Sequence, residues 1–207
     1  MTTIQAVLFD YGMVLSGPAD PAAWAQMRTL LGVSEDQFNA AYWRSRDAYD
    51  RGTLSGIAYW RQVAEDVGRP IDEAMLTDLI AADTTLWTQE NLPMIAWAAE
   101  LQRRGVKTGI LSNLGDAMEA GIRERFGWLE GFAHHTFSHR LGIAKPDAAI
   151  YTHAAAGLGL SPDEILFIDD RAVNVAAARE SGMAGIVYAD HPGFLEQMRA
   201  LGLGWLL

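Results

Sequence analysis

Short apolar runs punctuate this chain, and each ends against a polar or glycine-bearing segment. Residues 4–9 form the first such run and stop abruptly at Asp10 and Gly12. This is the pattern of a buried parallel strand that carries a carboxylate to its C-terminal edge, where ligands meet open α/β sheets. Similar runs at 106–111, 136–138, 165–168 and 184–188 predict four more strands. Helical spacing separates them: 94–104 stops at Gly105, 116–126 follows the second strand, 173–180 stops at Gly182, and 194–201 closes the chain. The segment Ile143-Ala144-Lys145-Pro146-Asp147 opens another helix, and Ser161, Pro162 and Glu164 start a single turn ahead of the fourth strand.

The stretch between the first two strands reads differently. Residues 16–21 are a turn-rich exit, after which no strand pattern occurs for about seventy residues. Trp24, Met27, Leu30 and Leu31 recur at helical spacing, and Ser34 with Gln37 forms a capping-box pattern ahead of Phe38, Tyr42 and Trp43. Further helices are expected at 55–67 and at 71–80, the second entered through Pro70. Strands alternating with helices around one inserted helical block predict an α/β protein with a five-stranded parallel sheet covered on both faces. The expected division is a core of residues 1–16 and 90–207, and a helical block of 17–89 placed over the C-terminal edge of the sheet.

Composition narrows the partners. A chain of 207 residues, half of them hydrophobic, closes a sizeable core. It has no cysteine, so a metal must be held by oxygen or histidine ligands. With Lys plus Arg 16 against Asp plus Glu 26, the net charge is -10, which repels nucleic acid and anionic membranes. The amino terminus has no signal-like pattern and no stretch is long and apolar enough to span a bilayer, so a cytoplasmic protein is expected. A small molecule is the expected partner, and nothing in the pattern separates a monomer from a homodimer.

Four strand exits each release a reactive group: Asp10; Ser112 with Asn113; Lys145; and Asp169 with Asp170. Parallel strands gather such exits on one edge. Carboxylates converging there repel unless a cation is present, and a hard ion such as Mg²⁺ suits carboxylate, carbonyl and water oxygens. Lys145, Ser112 and Asn113 then face a bound anion. The chemistry that fits is phosphoryl transfer with Asp10 as nucleophile, with the lysine and metal neutralising the phosphoryl oxygens. Gly12 leaves its carbonyl free for the metal, while Asn174, four residues after Asp170 on one helix face, is placed to orient a ligand or a backbone segment.

These stretches, Phe-Asp-Tyr-Gly-Met-Val-Leu at 9–15, Leu-Ser-Asn at 111–113, Lys145-Pro146, and Ile-Asp-Asp-Arg-Ala-Val-Asn-Val at 168–175, resemble in order the four motifs of the haloacid dehalogenase-like hydrolases. The subgroup resembled carries a small helical cap after the first strand. The resemblance implies a Rossmann-like core, an Asp10 nucleophile, and Mg²⁺ held by Asp10, the Gly12 carbonyl and Asp169 with Asp170 adjacent. It also implies that Ser112 and Lys145 bind the transferring phosphate and that the cap selects a small, sugar phosphate-like metabolite. One position departs: phosphatases of this family usually carry a second aspartate, the general acid, where this chain has Gly12. The resemblance includes a glycine subgroup described as sugar-phosphate phosphatases. General acid help is worth roughly 10² to 10⁴ in rate, so if Gly12 simply removes it, alkyl phosphates turn over slowly and aryl phosphates suffer less. The rival readings are a metal-free 2-haloacid dehalogenase using the same aspartate, which the acidic Asp169-Asp170 pair disfavours, and a non-catalytic ligand-binding or regulatory member.

Other conspicuous residues receive plainer expectations. His134, His135 and His139 share no helical face, so a strand or loop explains them better than a metal site. Trp24, Tyr42, Trp43, Tyr59 and Trp60 are rich enough to line a pocket beneath the helical block but read better as helix-packing core, and Arg44, Arg46 and Arg51 read better as solvated surface than as contacts to a substrate anion. Arg171 lies near the acidic edge, beside candidate carboxylate partners.

Overall fold

The structure is a computed structural model and describes residues 3–207. Its sheet has five parallel strands, β1 (Ala6–Phe9), β2 (Lys107–Ser112), β3 (His134–Phe137), β4 (Ile165–Asp169) and β5 (Ala184–Val187), in the spatial order β3-β2-β1-β4-β5. The first strand is therefore central, and its last residue, Phe9, stands beside Ile110 on one side and Ile168 on the other. That register sets Asp10 next to the ends of β2 and β4. Between Ser16 and Glu90, after β1, the chain forms five helices: α1 (Pro21–Leu31), α2 (Glu35–Arg44), α3 (Arg46–Asp50), α4 (Gly56–Asp66) and α5 (Glu73–Leu86). The remaining helices are α6 (Leu92–Arg103), α7 (Asp116–Arg125), the single turn α8 (Ser138–Leu141), α9 (Ala148–Leu158), α10 (Ala172–Glu180) and α11 (His191–Ala200).

Strand alternation sorts the core into two layers. Val7, Phe9, Ile110, Leu166 and Ile168 face Met94, Trp97, Leu101, Ile122 and Phe194 from α6, α7 and α11. Ala6, Leu8, Leu111, Ile165 and Phe167 face Ile150, Tyr151, Ala154 and Leu158 of α9, with Ala178 of α10. The expected sheet with helices on both faces is thus the observed one. The α1–α5 block buries a third cluster of its own, with Met27, Phe38, Tyr42, Tyr59, Trp60 and Leu79 at 0–1% exposure. Each side chain of this size stabilises by roughly 1.5–3 kcal/mol when fully buried, so the block has internal cohesion and does not depend on the sheet for it.

The block leaves and rejoins the sheet through paired linkers. Ser16 and Glu90 form an isolated antiparallel bridge, Gly17 N–H donates to the Gln89 carbonyl at 2.6 Å, and Asn91 N–H donates to the Leu15 carbonyl at 3.0 Å. Glycines set the approach of block and core. A Cβ on Gly115 would collide with the Tyr49 ring, and one on Gly52, which sits at φ 72, would collide with the His139 carbonyl.

Element boundaries differ from the sequence expectation in a few places. The helix expected at 71–80 is Glu73–Leu86, because Asp72 rather than Pro70 caps it, its carboxylate accepting Met75 N–H at 2.8 Å. The third strand begins two residues earlier than expected and ends one earlier, at His134–Phe137, since an edge strand tolerates half-buried histidines. The helix α3, whose N-cap Ser45 makes no side-chain capping hydrogen bond, is an addition to the expected elements.

Candidate active site

Asp10 ends the central strand and is 7% exposed. Its own N–H donates to the Ile168 carbonyl at 2.8 Å, continuing the β4 ladder by one residue, while its Oδ1 accepts Tyr11 N–H at 2.7 Å. The chain then turns sharply, with Met13 in the left-handed region at φ 59. That conformation costs a non-glycine residue about 1–2 kcal/mol, and it leaves Met13 40% exposed.

Lys145 reaches the same point from the loop after α8. Its Nζ lies 2.9 Å from Asp10 Oδ1 and 2.6 Å from Asp169 Oδ2, and it also donates to the Leu111 carbonyl at 3.0 Å. Asn113 holds the lysine's backbone from both sides: Lys145 N–H donates to Asn113 Oδ1 at 2.8 Å and Asn113 Nδ2 donates to the Lys145 carbonyl at 3.0 Å. The amide expected to face an anion is thus engaged in positioning the lysine loop.

Asp169, fully buried, is gripped on both oxygens. Oδ1 accepts from Arg171 N–H at 2.8 Å and Asn174 Nδ2 at 3.0 Å, and Oδ2 lies 3.1 Å from the same Nδ2. Asn174, expected to orient a ligand or a backbone segment, therefore orients the Asp169 carboxylate, and its own Oδ1 is buried without a hydrogen-bond partner among the described residues. Asp170 is half-buried; burial first, then the Asp169 charge, raises its pKa against the pull of Lys145.

Carboxylate oxygens of Asp10, Asp169 and Asp170 all lie within 4.8 Å of one another. Three hard anionic donors around one point fit Mg²⁺. One ammonium among three carboxylates leaves an excess of negative charge. Burial, opposed by Lys145 and reinforced by Asp169, pushes Asp10 up to about 7. Burial works against the charge on Lys145 as well, but Asp10 and Asp169 outweigh it and hold its pKa above the ordinary lysine value.

A cavity of about 420 Å³ opens over this cluster. Asp10, Gly12, Ser112, Asn113, Lys145, Asp170, Arg171 and Asn174 line its floor, so nearly every site residue expected from the strand exits meets there. Asp169 lies beneath it. From the helical block come Trp43, Arg46 and Asp50, with Trp87 just beyond α5.

Those upper residues depart from the sequence expectation. Arg46, expected at the surface, is 8% exposed; its guanidinium bonds Asp50 at 2.9 Å, lies 3.5 Å from Asp83, donates to the Tyr42 hydroxyl and faces the Tyr49 ring. Burial opposes its charge, but Tyr42, Asp50 and Asp83 hold its pKa well above the usual range. The signal available was Arg46 and Asp50 at i,i+4 within an aromatic stripe. Arg44 is an exposed partner of Asp66, and Arg51 bridges Asp47 and Asp147. Trp43, expected in the core, is half exposed at the cavity. The three histidines go elsewhere: His139 pairs with Glu119, His135 bonds the Leu129 carbonyl and His134 packs on His153.

The same fold occurs in known proteins. The family model for haloacid dehalogenase-like hydrolases matches residues 5–182. "Bifunctional epoxide hydrolase 2" of Sus scrofa is 28% identical over 94% of this chain, which spans only 38% of that protein's length. "Sesquiterpene phosphatase astK" of Aspergillus oryzae is 27% identical, with 97% of each chain covered. Among solved structures, HAD family enzyme bt-2542 of Bacteroides thetaiotaomicron, in complex with magnesium and inorganic phosphate, superimposes with a TM-score of 0.75 at 19% identity, covering 92% of this chain and 98% of that one. L-2-haloacid dehalogenase of Xanthobacter autotrophicus, with chloropropionic acid covalently bound, gives 0.65 at 19% identity over 96% and 83%.

Proposed function

This chain belongs to the haloacid dehalogenase-like hydrolases, and from that premise we propose that it is a Mg²⁺-dependent phosphomonoester hydrolase using an aspartyl-phosphate intermediate. The observation that carries the reading is Asp10, a buried carboxylate at the floor of a cavity, with Lys145 at 2.9 Å and two further carboxylates within 4.8 Å.

Asp10 attacks phosphorus as the ester P–O bond breaks and the alcohol leaves. Water then attacks the aspartyl phosphate, the bond to Asp10 breaks, and inorganic phosphate departs. Asp10, Asp169, Asp170 and the Gly12 carbonyl would hold Mg²⁺, which supplies Lewis-acid neutralisation of phosphoryl oxygens when bound. Lys145 and Ser112 bind the phosphate, and the lysine offsets charge as the pentavalent arrangement forms. Asn113 and Asn174 act by holding Lys145 and Asp169 in place. The helical block caps the cavity and selects the ester, whose size the 420 Å³ volume limits to a small metabolite such as a sugar phosphate.

The dehalogenase reading shares the nucleophile and has relatives of its own. The three gathered carboxylates favour the phosphatase, since halide displacement needs no cation. The test is phosphate release from a phosphomonoester panel with and without Mg²⁺, beside chloride release from 2-chloropropionate. Metal-dependent phosphate release that Asp10→Asn abolishes, in a folded protein, is expected. Chloride release indifferent to chelator, or an unchanged turnover number in Asp10→Asn, overturns the assignment.

A further inference from the structure

An alkoxide is a poor leaving group in water, so a site that releases alcohols from phosphate gains about 10² to 10⁴ from a proton donor at the leaving oxygen. Gly12 supplies none, and a Cβ built there meets nothing within 4 Å among the described residues other than its chain neighbours. Three carboxyl groups line the cavity: Asp10, Asp50 and Asp170. On the phosphatase reading Asp10 is the nucleophile and Asp170 belongs to the metal cluster, which leaves Asp50, on the opposite wall, without an assigned task.

We propose that Asp50 of the helical block is the acid–base residue of this site, donating its proton to the leaving oxygen as the ester bond breaks. The ionised carboxylate then takes a proton from the attacking water as the bond to Asp10 breaks, which restores the starting state. This role rests on the phosphatase reading above.

Asp50 is fastened where the role requires it. The Ser138 hydroxyl donates to the Asp50 carbonyl and accepts Leu114 N–H at 3.0 Å, so the end of α3 is tied to the exit of β2 two residues past Ser112. Gly52 lies against the His139 carbonyl, and Arg51 bonds Asp147, at the start of α9, at 2.8 Å. The Asp50 side chain is 17% exposed, and Arg46 holds its Oδ1 at 2.9 Å. One guanidinium there serves Asp50 and Asp83, with Asp47 and Tyr59 also nearby, and Lys145, Asp170 and Arg171 lie across the cavity. Burial, opposed by Arg46 and reinforced by Asp83 and Asp47, pushes the carboxyl up to about 6, which suits proton exchange near neutral pH.

The test uses the full chain with Mg²⁺ and a series of alkyl and aryl phosphates of graded leaving-group basicity. In wild type, catalytic efficiency should depend weakly on leaving-group basicity. Asp50→Asn, which keeps an oxygen for Arg46, should lose about 10² to 10⁴ on alkyl phosphates and less than about tenfold on nitrophenyl phosphate. It should also lose the high-pH fall in rate on alkyl esters, and Asp50→Glu should recover part of it. Equal losses on both ester classes, an unchanged pH profile, or a steep leaving-group dependence in wild type overturns the role while leaving the phosphatase standing. Where the variants fold poorly, a steep leaving-group dependence in wild type is still enough to overturn the role. Absence of phosphate release from every ester by folded wild type removes the phosphatase reading itself, and the role with it.

Discussion

Replacing Lys145 with methionine keeps all but the last atom of the side chain's length and deletes one charge. Lys145 is 4% exposed, and its ammonium sits 2.9 Å from Asp10 and 2.6 Å from Asp169, themselves 7% and 0% exposed. Removing one member of a buried ion pair destabilises by about 3–5 kcal/mol, because the partner is left charged and unsolvated. Here one cation serves two carboxylates and the Leu111 carbonyl, so the upper half of that range is expected in metal-free protein at about pH 9. There Asp10, pushed up to about 7 with the lysine present, is ionised in wild type; nearer neutral pH its protonation shrinks the loss. At about 2–4 °C per kcal/mol for a chain of this size, the melting temperature should drop by roughly 8–20 °C. Two controls separate charge from packing. Adding Asp10→Asn to Lys145→Met should recover at least about 1 kcal/mol, since one of the stranded charges is gone. Saturating Mg²⁺ should narrow the gap, because a cation that binds the folded carboxylates stabilises by mass action. The assay is thermal and urea unfolding of wild type, the two single variants and the double variant, with chelator and with Mg²⁺. A Lys145→Met protein that melts within about 2 °C of wild type in chelator would refute the electrostatic account, as would a Lys145→Met loss that is the same with and without Asp10→Asn.

Asn174→Ala leaves Asp169 free to rotate and should weaken apparent Mg²⁺ affinity by about 10–100-fold with the fold retained; Mg²⁺ titration of activity and of melting temperature checks this, and an unchanged midpoint counts against it. Glu119 tests a purely structural cluster. Burial pushes its pKa up, but bonds from Arg123, Arg140 and His139 outweigh burial and hold it below the ordinary 4.5. Its stabilisation is therefore fully present above pH 4.5 and disappears as pH falls through the lower folded value. Glu119→Gln should cost about 1–3 kcal/mol near neutral pH, with the difference from wild type shrinking in acid; a difference that stays constant down to about pH 3 contradicts the linkage.

Much of the sheet is legible in the chain because buried parallel strands are short apolar runs whose polar exits announce themselves. Asp10, Ser112, Asn113, Lys145, Asp170 and Asn174 all follow from such exits, and all border one cavity. What the pattern does not encode is orientation after the exit. Helical spacing sets Asn174 beside Asp170, yet the turn at Arg171 N–H points Asp169 back at it. The upper wall is harder still. Arg46 and Asp50 lie on a five-residue helix with no side-chain cap, and single charges among aromatics look solvated until Asp83, from a helix distant in sequence, closes over them.

The linkers at Ser16 and Glu90 have a consequence for how such a protein diversifies. With Leu15 and Asn91 already hydrogen-bonded, the sheet perceives everything between them as one closed loop, whose entropic cost grows only with the logarithm of its length. Helices there other than α3, which carries Asp50 and packs on Gly115, can be lengthened, shortened or exchanged, and β1 still meets β2 in the same register. Selectivity can therefore drift while the reactive floor stays put, as a tool holder accepts new bits without being recut.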